Sequence, residues 1–180
     1  MEDKCYMAID PGERGFIALQ QNGVFKHYSI LDNDLYQLSE IMAEIKSKYP
    51  RIVCVVEDVH AIFGSSAKST FGFGFNKGYL IGLLAASKIP YVLVQPKIWQ
   101  KEMWINSDMI VNYKKISMKK KDGSVRETTR KEVDTKNTSF NAAKRLFPNM
   151  DFRRTERCKN FDDNKVDATL MSEYARRKNL

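Results

Sequence analysis

The chain has 180 residues with 43% hydrophobic side chains, which suits a single domain with a sizeable core. Thirty Lys and Arg against 22 Asp and Glu leave a net charge of +8, which favours a polyanionic partner. No apolar run approaches the roughly 20 residues that span a bilayer, and no signal-peptide pattern opens the chain, so no membrane association and a soluble, intracellular location are expected.

Taken in order, Lys4–Asp10, Gly15–Gln21 and Val24–Ile30 read as strands. Asn22-Gly23 between the last two favours a two-residue hairpin turn with positive φ. Across Asp34–Tyr49, Leu35, Leu38, Ile41, Met42 and Ile45 recur at helical spacing, with Asn33 or Asp34 as N-cap and Pro50 as the stop. The nearly continuous apolar run Arg51–Glu57 suits a central parallel strand buried on both faces. A glycine-interrupted stretch follows, where Phe71, Phe73 and Phe75 alternate with glycines. Packing at a helix entry is favoured there over a loop facing nucleic acid, and the helix itself is expected around Lys77–Ser87.

Pro90–Val94 reads as a short strand and Pro96–Trp104 as a short helix, with Trp99 and Trp104 as core anchors. Ile110–Met118 and Val125–Thr129 flank Asp122-Gly123, which predicts a basic hairpin inserted at about 105–134. Helices are expected at Thr135–Phe147, closed by Pro148, and at Asp163–Arg177. Cys5 and Cys54 fall inside strands and read as small core residues. No Cys-x-x-Cys spacing suggests zinc or redox chemistry, so a reducing compartment fits.

Four acids stand out from this pattern. Asp10 and Glu57 each end an apolar strand, and Asp163 and Asp167 sit four apart on the last helix, which puts them on one face. Burying carboxylates together is costly unless cations neutralise them, and hard oxygen ligands suit Mg²⁺ or Mn²⁺. Asp58 points opposite to Glu57 on its strand and reads as a solvated or supporting neighbour. Three antiparallel strands, a helix, then parallel strands alternating with helices is the order of an RNase H-like α/β fold. That fold carries a mixed five-stranded sheet, three antiparallel then two parallel strands, flanked by helices.

Ala8-Ile9-Asp10-Pro11-Gly12, Val55-Val56-Glu57-Asp58-Val59 and Asp162-Asp163-Asn164-Lys165-Val166-Asp167-Ala168 together resemble the RuvC-like Holliday junction resolvases, in particular the phage and viral branch. Gly78 and Gly82, the stretch Gln95–Lys101 and the run Ala142–Pro148 extend the similarity over nearly the whole chain except the hairpin. The resemblance implies a homodimer that cuts four-way DNA junctions with two Mg²⁺ or Mn²⁺ ions per active site. Asp10, Glu57, Asp163 and Asp167 would be the ligands. It also implies a catalytic lysine, best matched by Lys101 with Lys97 as the alternative, and a second one at Lys136. His60 takes the position of a side chain that stacks at the junction centre, and Phe63 is its alternative.

Where the family often has a histidine, this chain has Asp162, which competes with Asp163 as ligand; the spacing to Asp167 favours Asp163. In the hairpin, Lys114, Lys115, Lys119, Lys120, Lys121, Arg126, Arg130 and Lys131 have the composition of a phosphate-contacting arm. Other branched DNA or RNA–DNA hybrids are alternative substrates. Asp10-Pro11-Gly12 alone would also fit a sugar-kinase or actin-like ATPase, but the chain lacks a second such half.

Overall fold

The computed structural model describes residues 4–59, 66–119 and 125–180, with 118, 119, 125 and 126 described by their backbone alone. In chain order the elements are β1 (Cys5–Ile9), β2 (Phe16–Gln21), β3 (Val24–Ser29), α1 (Leu35–Lys48), β4 (Ile52–Glu57), α2 (Ala67–Ala86), β5 (Tyr91–Val94) and α3 (Pro96–Met103). A 3₁₀ turn at Asn106–Asp108 leads to β6 (Val111–Lys119), β7 (Val125–Val133), α4 (Thr135–Leu146) and α5 (Asp163–Arg177). Five strands form one sheet in the order β3-β2-β1-β4-β5, and β6 with β7 forms a separate two-stranded sheet. β1 runs antiparallel to β2 and parallel to β4, while β5 joins β4 in parallel. This is the mixed sheet that the order of elements predicts.

Side-chain alternation along the central strands divides the core. Cys5, Met7 and Ile9 of β1, with Cys54 and Val56 of β4, face α1 and α2 through Leu38, Met42, Ile45, Leu80 and Leu84. On the other face, Ala8 and Val55 meet Trp99 and Met103 of α3, Ala142 and Ala143 of α4, and Val166, Leu170 and Met171 of α5. Alanine at position 8 lets α5 lie close over the strand ends. Asn22 and Gly23 adopt φ values of 50° and 79°, as a two-residue hairpin with the right twist demands. Asp34 starts α1 with a full capping box, its carboxylate accepting from Gln37 N while the Gln37 side chain accepts from Asp34 N.

The glycine-interrupted stretch departs from expectation. α2 begins at Ala67, some ten residues earlier than the apolar pattern suggests, with Ser66 Oγ accepting from Ser69 N at 3.1 Å as its cap. Each helical glycine costs about 1 kcal/mol relative to alanine, yet the helix propagates through Gly72, Gly74, Gly78 and Gly82. Phe71 and Phe75 are 76% and 62% exposed on this helix, so they do not pack into the core as anticipated. No described helix is long and apolar enough to cross a membrane.

The turn between β1 and β2 is closed around Gly15, whose amide donates to Gly12 O and whose carbonyl accepts from Ile30 N. A Cβ at Gly15 would sit 2.0 Å from Asp10 O. Only backbone movement would relieve that clash, so Gly15→Ala should cost about 3 kcal/mol in a urea unfolding experiment and displace Asp10. Retention of wild-type stability would show that the turn has slack.

His27 of β3 lies against α5 with its Nε2 2.8 Å from Thr169 Oγ1. Thr169 donates its own proton to Lys165 O at 2.7 Å, so His27 must be the donor in that pair. Burial, and secondarily the charge of Lys165, pushes the imidazole down to about 4. The unfolded chain therefore takes up a proton between pH 6.5 and 4 that the folded one refuses. Stability should fall by about 2–3 kcal/mol as pH drops through that window. His27→Gln should remove that component of the slope in urea melts run from pH 7 to pH 4, and an unchanged slope would contradict it.

Candidate metal centre

Asp10 follows Ala8 in the alternation of β1, and Glu57 follows Val55 in β4, so both carboxylates emerge on the α5 side at the C-terminal strand ends. The pairing of Ile9 with Val56 makes Asp10 and Glu57 the next neighbours across the parallel ladder. Asp163 is the first residue of α5 and Asp167 stands one turn on, above those strand ends. Two strands and one helix thus deliver four acids to one place, although the residues lie up to 157 positions apart in sequence.

Their electrostatics are coupled. Burial, then the charge of Glu57, pushes Asp10 up to about 7; Asp163 and Asp162 add to the shift, and only the Gly12 amide, donating to Oδ1 at 3.3 Å, opposes it. Asp167 is raised well above the carboxylate range by burial first, with Ser139 lowering it and Asp10, Glu57 and Asp163 raising it further. Glu57 is also raised by burial, against the pull of Trp99 and Lys77. Asp167 Oδ1 and the neighbouring Ser139 Oγ are both withdrawn from solvent; Ser139 is close enough to ease the carboxylate's charge, but the two make no well-formed hydrogen bond. An orphaned carboxylate oxygen among mutually repelling acids is a donor set of the type that hard divalent cations satisfy.

As the side chains stand, no three His, Cys, Asp or Glu among the described residues already grip a metal position. The reason lies in their present partners. Glu57 Oε1 accepts from Trp99 Nε1 at 3.0 Å. Lys136 Nζ lies 2.5 Å from Asp163 Oδ2, and its side chain is 69% exposed, so this pair is held weakly and can open. Asp162, in contrast, has both oxygens engaged: Oδ1 caps α5 by accepting from Asn164 N and Lys165 N, and Oδ2 accepts from Arg154 Nε at 2.7 Å.

The lysines distribute differently from expectation. Lys101 is on the exposed side of α3, half a helical turn away from Trp99, which faces Glu57. Lys97 lines a cavity of about 240 Å³ with Asp58, Val59, Gln95 and Pro96 beside the end of β4. Lys77, in the middle of α2, is ion-paired to Asp58 and its charge acts on Glu57. Asp58 sits on the opposite side of β4 from Glu57, as the alternation predicts, but it is bound to Lys77 rather than simply solvated. His60, Phe63, Lys120 and Lys121 lie outside the described residues. Lys119 and Arg126 fall on β6 and β7 by their backbone.

Trp99, Lys77, Arg154 and Ser139 are thus the neighbours of the acids that sequence reasoning did not assign. A signal existed for two of them. A fully buried tryptophan needs an acceptor for its indole N–H, and a lysine inside an apolar helix needs a carboxylate. Nothing in the sequence pattern marks Arg154 or Ser139.

No protein-family model matches the chain, and no curated protein matches it. Among solved structures, Thermus thermophilus RuvC in complex with a Holliday junction substrate superimposes with a TM-score of 0.53 at 7% identity, covering 97% of this chain and 96% of that one. A second Thermus thermophilus RuvC structure gives 0.47 at 10% identity over 98% and 97%. The ethanolamine utilization protein EutJ of Carboxydothermus hydrogenoformans gives 0.35 at 15% identity, over 74% of this chain and 53% of its own. The first likeness shows that the protein has the RNase H-like fold of RuvC.

Proposed function

We propose that the protein is a divalent-metal-dependent endonuclease that resolves four-way DNA junctions by paired nicks, working as a homodimer. The observation that carries this reading is the convergence of Asp10, Glu57, Asp163 and Asp167 from β1, β4 and α5, with an orphaned oxygen at Asp167. The net charge of +8 supports a polyanionic substrate around that acidic centre. The fold neighbour was solved on a Holliday junction, which supports branched DNA as the polyanion.

A pair of Mg²⁺ or Mn²⁺ ions held there would activate water and stabilise the leaving oxygen. Asp10, the most enclosed of the strand-end acids and the one that feels the charge of the others, would be a principal ligand. Glu57 is held in orientation by Trp99. Asp163, not Asp162, completes the set, since both oxygens of Asp162 are engaged in structural bonds. Lys136, released from Asp163, would hold the scissile phosphate, a role that its contact with Asp163 supports. Of the other lysines, Lys77 acts by its charge on Glu57 and Lys97 lines the cavity beside Asp58, so both join Lys101 as candidates for the catalytic lysine. For the dimer, the exposed Phe71 and Phe75 on α2 and the apolar edge strand β5 supply an uncovered surface.

The test compares a mobile four-way junction, a linear duplex and an RNA–DNA hybrid, each with Mg²⁺, Mn²⁺ or EDTA, alongside the mass of the protein in solution. Paired symmetric nicks on the junction alone, lost in EDTA, by a species of twice the chain mass are expected. Cutting of the hybrid in preference to the junction would overturn the proposal.

A further inference from the structure

The β6–β7 hairpin lies outside the sequence motifs that resemble the resolvases, and the chain's positive charge is concentrated in it. Residues 111–133 hold eight Lys and Arg against three acids, while the other 157 residues hold 22 against 19. Nine residues per strand make an arm about 30 Å long. Its two strands pack on one another, and no other described element makes an extensive contact with them. A lone two-stranded ribbon is marginal in water, and this one carries features that make it worse. Lys114 stands directly opposite Arg130, a like-charge pair that opposes strand pairing. Lys115 and Lys131 share the other face on the diagonal. None of the four pairs with an acid among the described residues, and all four are exposed.

The arm is nevertheless rooted firmly at its base. Asp134 N donates to Ile110 O at 2.9 Å, and Ile110 N donates to Thr138 Oγ1 at 3.0 Å, so it rises from the first turn of α4. That same turn carries Lys136, which contacts Asp163. The hairpin therefore projects from the rim of the acidic centre with cations on both of its faces. Lys114 and Arg130 lie on one, and Lys115 and Lys131 with the exposed Tyr113 on the other.

We propose that this two-faced arm inserts between two duplex arms of a branched DNA, each face contacting the phosphate backbone of one of them. A ribbon that lay along a single duplex would need cations on one face only. An arm that enters the angle of a branch needs them on both, and the anionic walls on either side cancel the Lys114–Arg130 repulsion. The contacts are to phosphate and carry no sequence information. The proposal rests on the junction reading for the branched substrate, but not on the cleavage chemistry.

The test is equilibrium binding in EDTA as a function of salt, which needs no catalysis. Lys114→Ala/Arg130→Ala, Lys115→Ala/Lys131→Ala and the fourfold variant are compared on a four-way junction and on a linear duplex. Each phosphate contact contributes about 0.9 to the slope of log K against log salt. On the junction each double variant should therefore lower the slope by about 2 and the fourfold variant by about 3.5. On the duplex, either face substitutes for the other, so each double variant should be nearly silent and only the fourfold one should lose about 2. Wild-type slopes in the fourfold variant would overturn the proposal. So would a loss confined to one double variant, which would mean a one-faced contact. Unchanged melting of the fourfold variant, expected because the four side chains are exposed on an arm that no other described element packs against extensively, excludes unfolding as the cause; charge reversal to Glu at the same four positions should deepen the loss. A junction that is bound with these slopes but never cut would sink the nuclease reading alone.

Discussion

Asp10→Asn is expected to make the metal-free protein more stable above pH 7 and to abolish its cleavage activity. In the wild type, burial and the neighbouring acids lift the Asp10 carboxyl to about 7. The folded protein then holds a proton that the unfolded chain, with an ordinary aspartate near 4, gives up. Stability from this group is fully present below pH 4 and is lost as pH rises through 7, by up to about 4 kcal/mol. An asparagine carries no charge, yet its side-chain oxygen still accepts from Gly12 N, so the turn survives. Relieved of one anion, Glu57 and Asp167 also sit more easily, since Asp10 and Glu57 both raise Asp167.

The wild type should regain stability when Mg²⁺ or Mn²⁺ is added at pH 8, rising with the logarithm of the metal concentration above Kd. Asp10→Asn should not respond to metal, and its turnover should fall by a factor on the order of 10³ or more. Differential scanning calorimetry with and without metal, paired with junction cleavage, reads both effects. If the variant unfolds below the wild type without metal, or both respond equally to the ion, these acids are not a metal site.

The parts of this centre that could be read in the chain were those that local patterning controls. The alternation in β1 and β4 assigns Asp10 and Glu57 to one face and Asp58 to the other, and the structure keeps that division. The Asn22-Gly23 turn and the start of α5 follow from turn and cap chemistry that acts within three or four residues. The start of α2 did not follow, because four glycines outweigh an N-cap in any count of propensity, and the Ser66 cap was decisive. Outward-facing Phe71 and Phe75 were misread for a related reason: an aromatic at helical spacing looks the same whether it faces a core or open surface. Which acid each of the site's partners serves could not be read because the pairings are non-local: Trp99 reaches Glu57 across 42 positions.

Arg154 is the residue whose loss should be most damaging to the fold. Its side chain is 11% exposed and serves three elements at once. Nε donates to Asp162 Oδ2 at 2.7 Å, Nη1 to Ser29 Oγ at 2.7 Å, and Nη2 to Arg14 O, while the guanidinium lies 4.5 Å over the Phe16 ring. It thereby ties the cap of α5 to the β1–β2 turn and the end of β3. That tie links the start of α5, where Asp163 stands, to the turn that follows Asp10. Arg154→Met keeps the apolar stem over Phe16 but leaves Asp162, itself 9% exposed, without its counter-charge. Breaking one partner of such a pair costs about 3–5 kcal/mol.

Asp162→Asn retains an N-cap oxygen and should cost less than the arginine variant. The double variant should be more stable than Arg154→Met alone, because it removes the stranded charge. The same series separates positioning from mere stability. At a temperature where all variants are folded, Arg154→Met should weaken metal binding and lower kcat, whereas Gly15→Ala moves only Asp10. A loss under about 1 kcal/mol with unchanged metal affinity would show that α5 is held over the strand ends by its apolar face alone, through Val166, Leu170 and Met171.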